Sequence, residues 1–181
     1  MRRELGKEVK RRFYEQLKER LPQIVEIKNE RNRLGWKVFE WALSPDVKAY
    51  LCLCLSPRDD TFTIEIACSR QDRFPGHLRI MVPHDIPRAR IVADKPVDGE
   101  FLTRLPYLYS DQDKWWEVMP RLTVEEIMEQ QRRLIETGQI EETPLDVGLE
   151  RIEALVTDAV DRIVEYAVPW LVDQCRHSET I

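Results

Sequence analysis

The sequence predicts an α+β fold: an antiparallel meander sheet with an N-terminal helix and two C-terminal helices packed on it. Three observations carry this expectation. The stretch Tyr50-Leu-Cys-Leu-Cys-Leu-Ser56 is apolar on nearly every residue and Thr61-Phe-Thr-Ile-Glu-Ile-Ala67 alternates, with Pro57-Arg-Asp-Asp60 as turn chemistry between them. An amphipathic helical pattern precedes this hairpin. Two helical stripes with N-terminal start signals follow it.

At 181 residues the chain suits one well-buried core, so residues 1–181 read as a single α+β domain with an irregular, Pro-rich segment at about 71–120. Apolar runs are short and the first residues are Arg-rich, which predicts a cytoplasmic protein with no membrane contact. Four cysteines lack paired zinc spacings, and Cys52 and Cys54 lie two apart in one strand, a poor geometry for a disulfide. They read as reduced thiols.

The net charge of −5 hides an asymmetry, with 12 Lys/Arg against 6 Glu in residues 1–37 and 16 against 27 acidic residues in the remainder. An acidic body disfavours nucleic acid as a partner, although the basic first segment keeps a nucleic-acid reading as a second alternative. Glu4, Glu8, Glu15 and Glu19 are interleaved with its basic residues at helical spacing, which suits ion pairs within the helix.

In order, residues 3–21 form a helix with Leu5, Val9, Phe13, Leu17 and Leu21 on one face, stopped by Pro22. Ile24 to Lys28 is β-prone, and Asn29 to Arg33 is turn-like. A strand from about Trp36 to Leu43 ends at Ser44-Pro45-Asp46 and completes a three-stranded meander with the hairpin. Pairing Leu55 with Phe62, Leu53 with Ile64 and Leu51 with Ile66 makes one apolar face, which pairing Trp41 with Leu51 and Phe39 with Leu53 extends. The opposite face is mixed and at most half-covered. From Gln71 to Pro120 prolines break up the β-prone runs Leu78 to Val82 and Arg88 to Ala93, so one or two edge strands fit there. Thr123 and Glu126 make a capping box for a helix with Ile127, Gln131, Leu134 and Ile135 as its stripe, closed by Gly138. Thr143-Pro144 opens a longer helix by N-cap and first-turn proline. Its stripe is Leu149, Ile152, Val156, Ala159, Val160, Ile163 and Ala167, and Pro169 ends it.

The order of elements and several short strings resemble a bacterial family, the domain of unknown function 4304. The strings are the first helix, Gly35-Trp-Lys-Val38, Thr61-Phe-Thr-Ile-Glu-Ile-Ala67, Asp113-Lys-Trp-Trp116 and Ala167-Val-Pro-Trp-Leu171. The resemblance spans most of the chain, and the Pro-rich middle is longer here than in the family. It implies an α+β fold and transfers no catalytic residue. By fold-level analogy, small bacterial domains of this kind serve as immunity-type or accessory partners in toxin loci.

Candidate chemistry is sparse. Glu40, Cys52 and Glu65 fall side by side on the mixed face in the expected register, with Trp36 and Tyr50 as an aromatic wall, which would make a ligand-binding pocket with a raised carboxyl pKa. Trp115 and Trp116, being adjacent, cannot both point inward, so at least one is expected on an interaction surface. His77, His84 and Asp85 match no metal motif. Asp94, Asp98, Asp111 and Asp113 lack calcium-loop spacing. Cys52 and Cys54, joined by Cys68, could hold a soft metal, but read more simply as buried apolar side chains. No cofactor is called for. The expectation is a non-catalytic binding or interaction domain that takes a protein partner or small ligand, with homo-oligomerisation left open. The first alternative is an enzyme using paired carboxylates on the open sheet face.

Overall fold

The computed structural model describes residues 1–28, 30–71, 73–75, 100–138 and 143–177. Helix α1 (Arg3–Arg20) leads through β1 (Val25–Ile27) and a short 3-10 helix (Glu30–Leu34) into the long strands β2 (Lys37–Ser44), β3 (Val47–Leu55) and β4 (Thr61–Ser69). Strands β5 (Phe101–Arg104) and β6 (Trp116–Glu117) follow, then helices α2 (Val124–Thr137), α3 (Leu145–Arg162) and α4 (Val168–His177). The sheet is antiparallel, in the order β1-β2-β3-β4-β5, and β6 also pairs with β4 beyond the end of β5.

The hairpin forms in the expected register, Leu55 opposite Phe62, Leu53 opposite Ile64 and Leu51 opposite Ile66. Strand β2 is two residues away from its expected pairing: Phe39 opposes Leu51 and Trp41 opposes Ala49. The cause is the turn. A two-residue connection sets Ser44 against Val47, and an irregularity between Ala42 and Ser44 then shifts the ladder by one residue. Without that shift Phe39 would face the wrong side of the sheet; with it, every apolar residue keeps its face.

One face of the sheet carries Phe39, Leu51, Leu53, Phe62, Ile64 and Ile66, all buried against Leu5, Val9, Phe13 and Leu17 of α1 and Ile152, Val156 and Val160 of α3. The first-helix stripe is buried as its four-residue spacing predicts. Helices α1 and α3 approach closely at Gly148, where a Cβ would lie 2.9 Å from a Leu5 methyl, and Leu149 beside it is exposed rather than part of the stripe. Trp41 and Trp170 are half-buried at the margin of this core.

Two helix boundaries differ from expectation. Pro144 itself occupies the N-cap of α3, with no side-chain cap, while the Thr143 carbonyl accepts a hydrogen bond from Arg2 Nη1 at 3.0 Å. Pro169 does not end the last helix. A widened π turn at Ile163–Ala167, in which Val168 N–H bonds to the Ile163 carbonyl, takes up the proline that lacks an N–H, and α4 continues. In the Pro-rich segment, β5 and β6 supply the edge pairing; Leu78 to Val82 and Arg88 to Ala93 lie outside the described residues.

Leu53 is fully buried at the centre of the middle strand. Truncation to Ala should therefore cost about 2 to 5 kcal/mol of unfolding free energy in a urea titration, the range for a large-to-small change in a packed core. A loss below about 1 kcal/mol would show that β3 is not central.

Candidate functional site

The second face of the sheet is covered rather than open. Val38, Tyr50, Cys52, Cys54, Ala67 and Leu102 form a buried apolar cluster there, with Ile27, Trp36 and Phe74 packed against it. Arg31, delivered by the 3-10 helix, stacks its guanidinium over the rings of Trp36 and Phe74 at 5.3 and 4.8 Å and bonds the Glu65 carboxylate at 2.6 Å. Trp36 donates its indole N–H to the Leu55 carbonyl at 2.9 Å. A face half-covered at most was expected because its residues are mixed; the pairing of Arg31 with Glu65 allows its buried centre to close.

Only part of the predicted site comes together. Glu65 opposes Cys52 across β3 and β4, but Glu40 opposes Tyr50, not Cys52, because of the shifted register of β2. Glu40 is held instead by Lys48 at 3.0 Å. Each carboxylate thus has its own cation. The Glu65 carboxyl is raised above its usual range, as expected, but by burial, which the charges of Arg31 and Arg104 and a hydrogen bond from Cys54 only partly offset; repulsion from Glu40 plays no part.

The donors that could hold a soft cation are Cys52, Cys54 and Glu65, whose ligand atoms lie within 4.8 Å of one another, all buried. Cys68 is not among them, since its side chain belongs to the helix-covered face. The two thiols are 3.6 Å apart and Cys54 also reaches the Cys52 carbonyl at 3.5 Å. Burial pushes the Cys54 thiol well up, so a metal would have to displace thiol protons and the Arg31 contact together. In this structure the cluster acts as packing, with reduced cysteines as expected.

The two adjacent tryptophans divide as their spacing requires. Trp116 is buried, stacked on Phe62 with centroids 5.4 Å apart, and donates to Asp158 of α3 at 2.7 Å. Trp115 is half-buried with Arg104 over its ring at 5.2 Å, and Arg104 in turn pairs with Asp113. Trp115 lines a cleft of about 770 Å³ together with Arg58, Asp60, Asp113, Lys114 and Arg121. Near it the buried Arg104 Nε and Tyr107 hydroxyl have no hydrogen-bond partner among the described residues. His77, His84, Asp85, Asp94 and Asp98 lie outside the described residues.

Sequence periodicity marked the stripe of α2 but not its direction. The helix is well made: Thr123 and Glu126 bond reciprocally in the capping box, Gly138 closes it at φ 71°, and Glu129 pairs with Arg132 and Arg133. Yet it buries no residue. Val124, Met128 and Ile135 are 68%, 65% and 85% exposed, and Ile127 and Leu134 are exposed as well. The polar edge bearing Glu125, Glu126, Glu129 and Arg133 lines a groove of about 460 Å³ against Thr143 and Pro144. The helix thus turns its charged edge toward this groove, where Glu129 and Arg133 are still 40% and 53% exposed, and its apolar side to solvent.

No family model, curated protein or solved structure matches the chain. The resemblance to the domain of unknown function 4304 family therefore rests on the strings quoted for it.

Replacing Glu65 by Ala removes the carboxylate that pairs with Arg31 beside two aromatic rings, and should destabilise the fold by about 3 to 5 kcal/mol. The pH dependence has a definite sign. With a folded pKa above the unfolded value of 4.5, the folded chain holds the proton more tightly, so Glu65 favours the fold more as pH falls from above its folded pKa toward 4.5. The stability difference between the wild type and Glu65→Gln, followed by urea unfolding, should move in that direction across this window. A difference that grows as pH rises would show that the pair with Arg31 outweighs burial.

Proposed function

We propose that this chain is a non-catalytic protein-interaction domain that docks through α2. The observation behind this reading is the outward apolar stripe Val124, Ile127, Met128, Leu134 and Ile135 on a helix that buries nothing. Burying one large apolar side chain fully is worth about 1.5 to 3 kcal/mol, and a lone helix of this length is marginal in water. Five such side chains left in water on a capped helix imply an assembly in which they are covered.

Charge favours protein over lipid as the covering surface. The polar side of α2 carries Glu125, Glu126, Glu129 and Glu136 against Arg132 and Arg133, and the chain carries a net −5, whereas helices that lie on anionic membranes are basic on their polar face. No helix among the described residues is long and apolar enough to cross a membrane. The carboxylate enzyme is less favoured because Glu40 and Glu65 each engage a separate cation. Nucleic-acid binding by α1 is less favoured because Arg11, Arg12 and Arg20 engage Glu8, Glu15, Glu153 and Asp161. An accessory or immunity-type partner is one role such a domain fits.

The test places a photo-crosslinking residue at position 135 in cells and, as control, at the exposed Glu150 of α3. Discrete protein adducts should form from position 135 and not from 150. Identical patterns from both would remove the reading. In dilute solution Ile135→Glu should change stability by no more than about 0.5 kcal/mol, as expected for an exposed position.

A further inference from the structure

We infer that a cleft beside the first turns of α1 binds the phosphate group of a small organic molecule, a phosphomonoester with an apolar body. The site is separate from α2 and does not depend on what that helix docks against.

The argument begins with the partners of the basic residues on α1. Arg11, Arg12 and Arg20 pair with Glu8, Glu15, Glu153 and Asp161, and Lys18 donates to the carbonyls of Pro22 and Ile24. The side chains of Arg3, Lys7 and Lys10, alone among the cations of this helix, have no hydrogen bond or ion pair with any described residue. They stand at positions i, i+4 and i+7, which places them along one edge of the helix, away from the paired edge of Glu8, Arg11 and Glu15. All three line one cleft of about 290 Å³.

The cleft has the chemistry of an anion site. Its charged side chains are Arg2, Arg3, Lys7 and Lys10, with no carboxylate among the described residues that line it. Arg2 is already committed, since Asp60 accepts its backbone N–H at 2.6 Å and its Nε at 2.8 Å. The other three are uncompensated in a chain of net −5. Lys10 is the least exposed of them, and burial, then the charge of Lys37, lowers its ammonium from the ordinary value. Lys37 itself is held by Glu26. An anion in the cleft offsets both penalties on Lys10.

Size and charge select the ligand. Clefts that hold small organic molecules run from about 300 to 1,000 Å³, so this one suits a small member of that class rather than a stretch of nucleic acid. A single carboxylate would answer only one of three cations. A phosphomonoester carries about −1.5 to −2 charges at neutral pH and three acceptor oxygens. The Arg3 guanidinium can fork onto two of these, and the two lysines add point charges. The exposed Leu34 and the buried Leu55 supply apolar surface in the same cleft for the body of the ester.

The test is isothermal titration calorimetry of the full chain at low salt, with phenyl phosphate, inorganic phosphate and benzoate as probes. Circular dichroism checks the fold of every variant. Phenyl phosphate should bind at one site, more tightly than inorganic phosphate and far more tightly than benzoate, and added salt should weaken it. Lys7→Gln and Lys10→Gln should each weaken it several-fold, and Lys7→Glu should abolish it. Arg11→Gln, which removes the same charge from the paired edge, should leave it unchanged. Leu34→Ser should weaken phenyl phosphate but not inorganic phosphate. No saturable binding of phenyl phosphate, or equal losses from Arg11→Gln and Lys7→Gln, would overturn the inference. Inorganic phosphate bound as tightly as phenyl phosphate would overturn the organic body and assign the cleft to the free ion. Displacement of phenyl phosphate by duplex DNA would overturn the small molecule.

Discussion

Strand β3 has no polar side, and the rest of the structure follows from that. Every residue from Ala49 to Leu55 is buried, so water must be kept from both faces of the sheet. Helices α1 and α3 cover one face with continuous apolar stripes. The buried cluster of the other face includes no α-helical residue among those described. It is closed by the Glu30–Leu34 3-10 helix, Trp36, Phe74 and β5. A single central strand thus sets the thickness of the molecule and fixes where its few buried charges must pair.

Glu65 is the cost of that second closure. A carboxylate facing a sheet surface with no water needs a cation, and Arg31 supplies one while its guanidinium plane rests on two rings. The same demand recurs at the edge of β4. Burial would raise Asp158, but the Trp116 indole, Lys114 and Arg162 together hold it below its usual value, which ties α3 to β6. Glu65 and Asp158 are therefore each matched locally, and Glu40 and Glu65, each with its own cation, do not form the like-charged pair that a carboxylate enzyme would need. The outer stripe of α2 has no such local match among the described residues.

The parts of this fold visible in the sequence are those set by strict periodicity. Four-residue spacing gave α1 its buried face, and alternation from Phe62 to Ile66 against an apolar partner left only one workable register for the hairpin. The pairing of β2 was harder, because a one-residue irregularity near Ser44 leaves no mark in composition; parity preserved the faces but not the partners, and so Glu40 moved away from Cys52. Arg31 was not foreseen, since a turn-like Asn-Glu-Arg-Asn-Arg run reads as solvated until Trp36 and Phe74 are seen to flank it. The stripe of α2 was legible, but periodicity says only that an apolar side exists. That this side stays exposed is a tertiary fact, since no residue of α2 enters the core that α1 and α3 build on the sheet.

Amide hydrogen exchange of the full chain tests the account most directly, because it reads the central strand and the exposed helix in one experiment. Amides of Leu51 to Leu55 and Ile64 to Ala67 should exchange only through global unfolding. Amides of Glu129 to Ile135 should exchange quickly in dilute protein. Slow exchange in α2 under those conditions would mean the chain itself covers the stripe, and rapid exchange in β3 would mean its two faces are not closed; either result contradicts the account.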